Sequence, residues 1–414
     1  MGAQEEFQVQ PTAFVYGGET IARLPDGRAV FIPYTIPGET VRIRLVEDKE
    51  RYARAELIEV VGPAPSRIEP RCRHFGTCGG CHYQHLSYAD QLAAKQAVFR
   101  DQLERIGKVT DPPVREIVGS PSPWNYRNHI QFHISPQGKL GYLKHRSREM
   151  VDIEECHLPE DVLNLVWPVL EAESIPGLDR IHLRSGEGDQ DALIVLESSD
   201  PQPLSFEMDL PLSAVYRGPG GEIILAGDDF TILEVHQFPF VVSAGSFFQV
   251  NTTMAERLIT DLLSLIDELK KELVLDVYSG VGLFSVFLAE AAERVIGVES
   301  NPSAVEDYLY NLSGWENVQL YDLAAEEVLP YLEEEPDVIV LDPPRGGLST
   351  AVLDGVVSLN PPAVVYISCD PATLARDLKR FARQGFFLSQ ATPYDMFPQT
   401  YHIESLNLLK KTTP

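Results

Sequence analysis

A cysteine that directly follows a short apolar run is the first residue with evident chemical capacity. Residues 364–368 are β-prone and end at Cys369, and Pro371 stands two residues further on. The run predicts a buried strand that Pro371 cannot continue, so we expect Cys369 to be exposed at the strand's carboxyl end, where open α/β sheets bind ligands. A helix predicted over 372–383 would lower the pKa of this thiol and make it a nucleophile. The alternative is an inert buried cysteine.

The remaining four cysteines form a second group. Cys72, Cys78 and Cys81 are separated by five and then two residues, with glycines that allow the backbone to fold until the three sulfurs converge. Cys156 is the fourth ligand that remains if Cys369 is reserved for chemistry. Four thiolates fit either a [4Fe-4S] cluster or structural zinc, and the spacing does not separate the two. Cysteines without any metal are a third reading.

A glycine loop after the apolar run 273–277 predicts a further ligand site. Gly280 and Gly282 allow the backbone to approach a ligand, and Glu299, at the end of the next predicted strand, can accept hydrogen bonds from both hydroxyls of a ribose. A nicotinamide dinucleotide would need a third glycine where Ser285 stands.

The pattern Asp276-x-Tyr278-x-Gly280-x-Gly282 resembles instead the first motif of class I S-adenosylmethionine methyltransferases. Asp322 resembles the acid of that fold that faces the adenine. Asp342 resembles the acid near the methionine part, and the two prolines that follow it make its loop stiff.

The elements that must position these residues fall into three predicted regions. Short strands with glycine turns in 1–64 predict a small OB-like β-barrel, and 65–240 predict a central α+β domain with the four-cysteine site. Alternating strands and helices in 241–414 predict a doubly wound parallel sheet. Residues 86–107 predict a helix with Lys95 on its outward face, and 86–118 are expected to pack on the third domain.

Composition limits the function classes. The chain has 414 residues, 44% of them hydrophobic, and a net charge of -27. Such an acidic protein is not a nonspecific nucleic-acid coat, although a local basic channel is compatible with the charge. No apolar run is long enough for a membrane helix and the first residues are polar, so we expect a cytoplasmic monomer that does not enter membranes.

Together, the chain resembles the RNA 5-methyluridine methyltransferases, the TrmA/RumA-type family that methylates uracil C5 in 23S ribosomal RNA or tRNA. The segment 1–64 resembles the RNA-binding TRAM domain of that family. The other motifs that carry the resemblance are the four cysteines and the segments 248–251, 276–284, 342–345, 368–371 and 396–404.

The resemblance implies a role for each site residue. The nucleophile is Cys369 and the base is Glu404. The S-adenosylmethionine site is lined by Gln249, Tyr278, Glu299, Asp322 and Asp342. The metal group is a [4Fe-4S] cluster on Cys72, Cys78, Cys81 and Cys156. Leu283 departs from the small polar residue of many members.

The implied function is methylation of uracil C5 in RNA, with 23S rRNA as the expected substrate, through a covalent bond between the cysteine and C6 of an extruded uridine. Uridine 54 of tRNA is the alternative target. Two other functions stay open: an RNA-binding iron–sulfur protein without methyl transfer, and a cytosine-C5 enzyme, in which Glu404 would lack a role.

Overall fold

The computed structural model describes residues 5–135, 137–170, 177–186, 192–200 and 212–412. The N-terminal part is a β-domain in which alternate residues of each strand point inward: Val41, Ile43 and Leu45 are buried, whereas Arg42 is exposed. Its strands are β1 (Glu6–Val9), β2 (Ala13–Phe14), β3 (Glu19–Arg23), β4 (Ala29–Pro33), β5 (Thr40–Asp48) and β6 (Tyr52–Gly62). They pair in the order β1-β5-β6-β4-β3-β2.

A helix links this domain to the rest of the chain. Helix α1 (Tyr88–Arg105) begins at Ser87, whose side chain accepts a hydrogen bond from the backbone of Asp90. Its apolar residues Val98, Phe99 and Leu103 belong to the core of the C-terminal sheet. The helix therefore packs on the C-terminal part of the chain.

The central part is built around a mixed sheet with the strand order β13-β12-β11-β10-β7-β8-β9. Its elements are β7 (His129–Ile134), β8 (Leu140–Leu143), β9 (Met150–Asp152), α2 (Asp161–Val166), β10 (Leu178–Ser185), β11 (Ala192–Ser198), β12 (Ser213–Gly218) and β13 (Gly221–Ala226). A separate hairpin follows, formed by β14 (Phe230–Val235) and β15 (Phe238–Ser243). This hairpin buries Leu233 and Phe240 in the core of the C-terminal sheet.

The C-terminal part is the predicted doubly wound sheet, and that prediction is confirmed with one difference. Its elements are α3 (Thr252–Asp267), β16 (Leu273–Val277), α4 (Leu283–Ala291), β17 (Arg294–Glu299), α5 (Pro302–Asn311), β18 (Val318–Asp322), α6 (Ala325–Val328), β19 (Val338–Leu341), α7 (Thr350–Ser358), β20 (Ala363–Ser368), α8 (Pro371–Arg383), β21 (Phe386–Tyr394) and β22 (Glu404–Lys411). The strand order is β18-β17-β16-β19-β20-β22-β21. Strands β21 and β22 are antiparallel to their neighbours, whereas the others are parallel.

The predicted outward position of Lys95 is wrong. Its side chain is fully buried, and its Nζ lies 2.5 Å from Asp395 Oδ1 and 3.0 Å from the carbonyl oxygen of Phe397. Burial lowers the pKa of Lys95, which the carboxylate of Asp395 opposes. This ion pair ties α1 to the segment between β21 and β22.

The three domain boundaries stay predictions. No helix in the described part of the chain combines the length and apolar character needed to cross a membrane.

We expect Lys95→Met to lower the free energy of unfolding by about 3–5 kcal/mol, because it leaves the carboxylate of Asp395 buried without its cation. Urea unfolding measures this change. The matched control is Lys379→Met at an exposed position of α8, for which we expect a change of less than about 0.5 kcal/mol. Replacing both partners, Lys95→Met with Asp395→Leu, should recover part of the loss. Equal effects of the two lysine variants would contradict the role of the ion pair.

Candidate active site

The residues predicted to do chemistry lie at one edge of the C-terminal sheet. Cys369 directly follows β20, and Asp342 directly follows β19, its parallel neighbour. Strand β22 runs in the opposite direction beside β20 with Ser368 paired to Ser405, so its first residue, Glu404, lies next to Cys369. The pairing of β20 and β22 therefore brings the predicted nucleophile and the predicted base together.

The expected low pKa of Cys369 is wrong. Burial raises the pKa of this thiol to about 12, and the carboxyl groups of Glu404 and Asp342 raise it further, while Arg345 acts in the opposite direction. The amino end of α8 does not offset this, because Asp370 Oδ1 accepts hydrogen bonds of 2.9 Å from the first free amides of the helix. The thiol is also half-buried rather than exposed. Cys369 is therefore protonated in this structure.

The carboxyl group of Glu404 is buried, with 2% of the residue exposed. Burial raises its pKa well above the usual range, and the nearby carboxyl of Asp342 adds to this, while Arg345 opposes it. Its Oε1 has no hydrogen-bond partner among the described residues. Glu404 therefore carries a free oxygen, and burial favours its protonated form over the carboxylate that a proton acceptor needs, which makes the opposing charge of Arg345 relevant.

The glycine loop adopts the conformation that its glycines permit. Gly280 and Gly282 have φ angles of +55° and +89°. A Cβ atom on Gly280 would meet nothing within 4 Å, whereas one on Gly282 would lie 2.3 Å from the side chain of Leu312. Gly280 therefore faces open space at the sheet edge, and Gly282 is required by packing.

The predicted ribose acceptor lies beside this loop. Glu299 Oε2 accepts a hydrogen bond of 2.9 Å from the backbone N–H of Gly280, and Asp322 stands opposite Glu299 on the next strand. Tyr278 leads into the loop with a φ angle of +65°. These three predicted residues therefore meet at the same sheet edge as Asp342.

A second buried carboxyl, that of Asp276, lies on the strand that leads into the glycine loop. Asp276 is fully buried on β16, and Ser285 donates a hydrogen bond of 2.6 Å to its Oδ2. Burial raises the pKa of Asp276 to about 7, and burial together with Asp276 raises the pKa of Asp342 to about 7.

Gln249, the remaining residue predicted for the methyl-donor site, lies on the segment directly before α3. Its backbone carbonyl accepts a hydrogen bond of 2.9 Å from Asn128 Nδ2, and Asn251 caps the amino end of α3. The side chain of Gln249 is buried. The central part of the chain thus fixes the position of this residue.

Cys72, Cys78, Cys81 and Cys156 line a single cavity of about 120 Å³, as the spacing predicts. Arg127 lines the same cavity, and its Nε is buried without a hydrogen-bond partner among the described residues. No set of three His, Cys, Asp or Glu side chains in the described ranges is arranged to hold a metal ion. The structure thus brings the four thiols together and does not confirm the predicted metal group.

The residues that follow Cys81 form hydrogen bonds with the loop that leads to Glu404. The backbone N–H groups of His82 and Tyr83, which follow Cys81, donate hydrogen bonds of 2.8 and 3.0 Å to the carbonyl oxygen of Gln399. The side chains of Gln91 and Gln399 also form a buried pair at 3.0 Å. The segment between β21 and β22 is therefore held from the N-terminal half of the chain.

Comparison with known proteins decides the family. Residues 206–412 match the model of the tRNA (uracil-5-)-methyltransferases, and residues 6–58 match the TRAM domain. The chain is 34% identical to an uncharacterized RNA methyltransferase of Thermosynechococcus vestitus over 99% of this chain and 98% of the relative. It is also 34% identical to an uncharacterized RNA methyltransferase of Aquifex aeolicus over 96% of both chains.

The chain belongs to the tRNA (uracil-5-)-methyltransferase family. It is thus an S-adenosylmethionine-dependent RNA (uracil-5-)-methyltransferase with an N-terminal TRAM domain, and the predicted enzyme class, methyl donor and RNA substrate class are confirmed.

A solved structure shows the same fold over the whole chain. The Pyrococcus abyssi tRNA (uracil-54, C5)-methyltransferase in complex with S-adenosyl-L-homocysteine has a TM-score of 0.73 to this chain and is 24% identical. The likeness covers 97% of this chain and 99% of that one. The methyltransferase fold and its N-terminal β-domain are therefore confirmed.

Two contributors to the site of this methyltransferase were not found from the sequence. The hydroxyl of Tyr16, in the TRAM domain, donates a hydrogen bond of 2.8 Å to Asp370 Oδ2, and its ring contacts that of Tyr401 at 5.6 Å. Asp276 was recognised only as part of a motif. A separation of 354 residues gives the first contact no local sequence signal, whereas an acid inside the apolar run 273–277 is a signal for a buried carboxyl.

The raised pKa of Asp276 predicts a pH dependence of stability. The folded protein retains this proton between the ordinary pKa of an aspartate and about 7, so folding becomes less favourable as pH rises through that range. In the wild type, the free energy of unfolding should therefore fall between pH 4 and pH 7.5. We expect Asp276→Asn to make this fall smaller by on the order of 2 kcal/mol.

Urea unfolding of wild type and variant at both pH values measures the difference. The control is Asp354→Asn at an exposed position of α7, which should leave the decline unchanged. If the free energy of unfolding falls as much in Asp276→Asn as in the wild type, the carboxyl of Asp276 is ionised in the folded protein and the prediction is wrong.

Proposed function

We propose that this enzyme methylates C5 of a uridine in RNA through a covalent bond between Cys369 Sγ and C6 of the uracil. The observation that carries the proposal is the placement of Cys369 beside Glu404 at the sheet edge that also holds Asp342. A nucleophile and a proton acceptor are the two groups that the reaction needs from the protein.

The proposed chemistry balances with these two side chains. Cys369 loses its proton to solvent, and its thiolate forms a bond to C6 while the electrons of the C5–C6 double bond move toward the C4 carbonyl, so that C5 becomes a nucleophile. Bound S-adenosylmethionine supplies an electrophilic methyl group. The carboxylate of Glu404 then takes the C5 proton, the double bond reforms, and the sulfur leaves as a thiolate.

Arg345 is the cation that favours the reactive forms of both groups. It lowers the pKa of Cys369 and of Glu404, against burial and the carboxyl of Asp342, which raise both. We propose that Arg345 stabilises the thiolate and the carboxylate when the uracil enters.

We propose the methyl-donor site at Gln249, Tyr278, Glu299, Asp322 and Asp342. Support comes from the open space at Gly280 and from the placement of Glu299 and Asp322 on neighbouring strands beside it. Carboxylates at strand ends suit ribose hydroxyls and a cationic sulfonium.

We also propose that Cys72, Cys78, Cys81 and Cys156 hold a [4Fe-4S] cluster. Four thiolates are the ligand set of such a cluster, and all four cysteines line one cavity. A cluster distributes its four thiolates over separate iron atoms and therefore suits sulfurs around a wider cavity. The unpartnered Nε of Arg127 suits the negative charge of such a group.

We propose 23S rRNA as the substrate, on the combination of the TRAM domain with the four-cysteine cavity. Uridine 54 of tRNA is the second candidate, because the description of the family names tRNA. Mapping 5-methyluridine in rRNA and tRNA from cells with and without the protein tests both.

The covalent route predicts different outcomes for two substitutions. We expect Cys369→Ala to abolish methyl transfer to RNA while binding of S-adenosylmethionine, measured by calorimetry, survives. We expect Glu404→Gln to lower turnover at least about 10²-fold and to accumulate a methylated RNA–protein adduct, since proton removal from C5 is blocked. Denaturing gels with labelled RNA detect the adduct.

The combination of both substitutions is the control, because it should form no adduct. Turnover by Cys369→Ala, or an adduct that forms without Cys369, would refute the covalent route.

The cluster predicts about four iron and four sulfide ions per chain and a brown absorbance near about 400 nm in anaerobically purified protein. We expect Cys81→Ser to lose most of this absorbance and iron. Cys369→Ser is the matched control and should retain both, since Cys369 does not line the cysteine cavity. Colourless protein with one zinc ion per chain would contradict the proposal.

A further inference from the structure

A second cavity, of about 230 Å³, lies between the central sheet and the segment that leads to Gln249. One wall is a single face of the sheet: Arg184 on β10 pairs with His129 on β7, and His182 lies two residues before Arg184. Arg217 on β12 completes this wall, and residues 244–247 form the opposite one. We name this space the arginine cavity.

Both arginines of the arginine cavity have a donor without an acceptor. Arg184 is only 6% exposed, and its Nη1 and Nη2 donate to the carbonyl oxygens of Ser243 and Ser246 at 3.0 and 2.7 Å. Its Nε has no partner among the described residues, and the same holds for Nη2 of Arg217. Buried N–H groups without acceptors are unfavourable, so an acceptor at this position would stabilise the protein.

The charges around the arginine cavity favour an anion. Arg184 and His182 are among the groups that, after burial, hold the pKa of His129 well below its usual range, and each of these neighbours is basic. Two carboxylates pair with basic groups of the cavity, Glu222 with Arg217 Nε at 2.6 Å and Glu197 with His182 at 3.0 Å, and both pairs leave Arg184 Nε and Arg217 Nη2 without an acceptor among the described residues. No acidic side chain of the described chain lines the cavity. In a protein with a net charge of -27, this basic space is exceptional.

The wall at 244–247 connects the cavity to the candidate active site. Ser243 and Ser246 donate hydrogen bonds to Asp307 on α5, the helix that follows Glu299. Phe247 is 69% exposed at the cavity, two residues before Gln249. An anion held here therefore lies beside the segment that enters the methyl-donor site.

We propose that the arginine cavity binds one phosphodiester group of the RNA substrate. The proposal rests on the proposed function, since an RNA methyltransferase meets its anion as the sugar–phosphate backbone of the substrate. Planar guanidinium groups with free N–H donors suit phosphate oxygens. A fixed phosphate would set which nucleotide reaches Cys369.

The test compares Arg217→Gln with Arg180→Gln, a matched control on β10 that lies outside the arginine cavity. Affinity for an RNA fragment that carries the target uridine is measured over a salt series. We expect Arg217→Gln to weaken binding about tenfold and to reduce the slope of log K against log salt by about one, whereas Arg180→Gln keeps the wild-type slope. Equal slopes for the two variants would overturn the proposal.

A second measurement uses inorganic phosphate as the probe. We expect phosphate to shift the imidazole NMR signals of His129 and His182 in the wild type and not in Arg217→Gln. Phosphate binding without any change in the RNA salt slope would identify a site for a free ion only and would also overturn the proposal. Neither measurement depends on methyl transfer, so a failure to form 5-methyluridine would refute the proposed function and leave this result standing.

Discussion

The antiparallel pairing of β22 with β20 is the constraint on which the candidate active site depends. In a sheet of parallel strands only carboxyl ends meet at the ligand edge, so each strand can offer that edge only the residue at its end. Strand β22 runs in the opposite direction and brings its first residue, Glu404, to the same edge. Two residues 35 positions apart in the sequence thus become neighbours, and one register shift of β22 would move Glu404 to the other face.

The site that results is a group of acids that burial keeps protonated. Burial raises the pKa of Glu404, of Asp342 and of Cys369, and the carboxyl of Asp342 adds to the first while both carboxyls add to the last, because like charges would lie close together in a poorly solvated space. Only the ionised forms of these carboxyl groups attract a cation, so a bound sulfonium would favour their ionisation. Arg345 is the positive group whose charge lowers the pKa of both Cys369 and Glu404. The thiolate of Cys369 and the carboxylate of Glu404 are thus unfavourable until ligands enter. The protonated thiol is thereby protected from unwanted reactions.

The sequence predicts the parts of the molecule in which neighbours in sequence are neighbours in space. The strand–loop–helix around Gly280 and the strand before Cys369 follow from apolar runs and from glycine or proline, and both are found where expected. The sequence failed where distant segments decide. Lys95 fits the polar face of a helix by spacing, yet its carboxylate partner comes from 300 residues further along the chain. The pKa of Cys369 likewise depends on Glu404 and Asp342, which lie at the ends of other strands of the sheet and which no local pattern places beside the thiol.

These distant contacts show that the N-terminal half packs directly against the segments beside Cys369 and Glu404. Tyr16 of the TRAM domain reaches the cap of α8, and Gln91 pairs with Gln399 on the segment that carries Glu404. The residues after Cys81 bind the carbonyl of the same Gln399. The cysteine cavity and the TRAM domain are thus each joined to the candidate active site by a few hydrogen bonds. RNA bound across the two halves would therefore meet its binding surface and its catalytic groups as one structure.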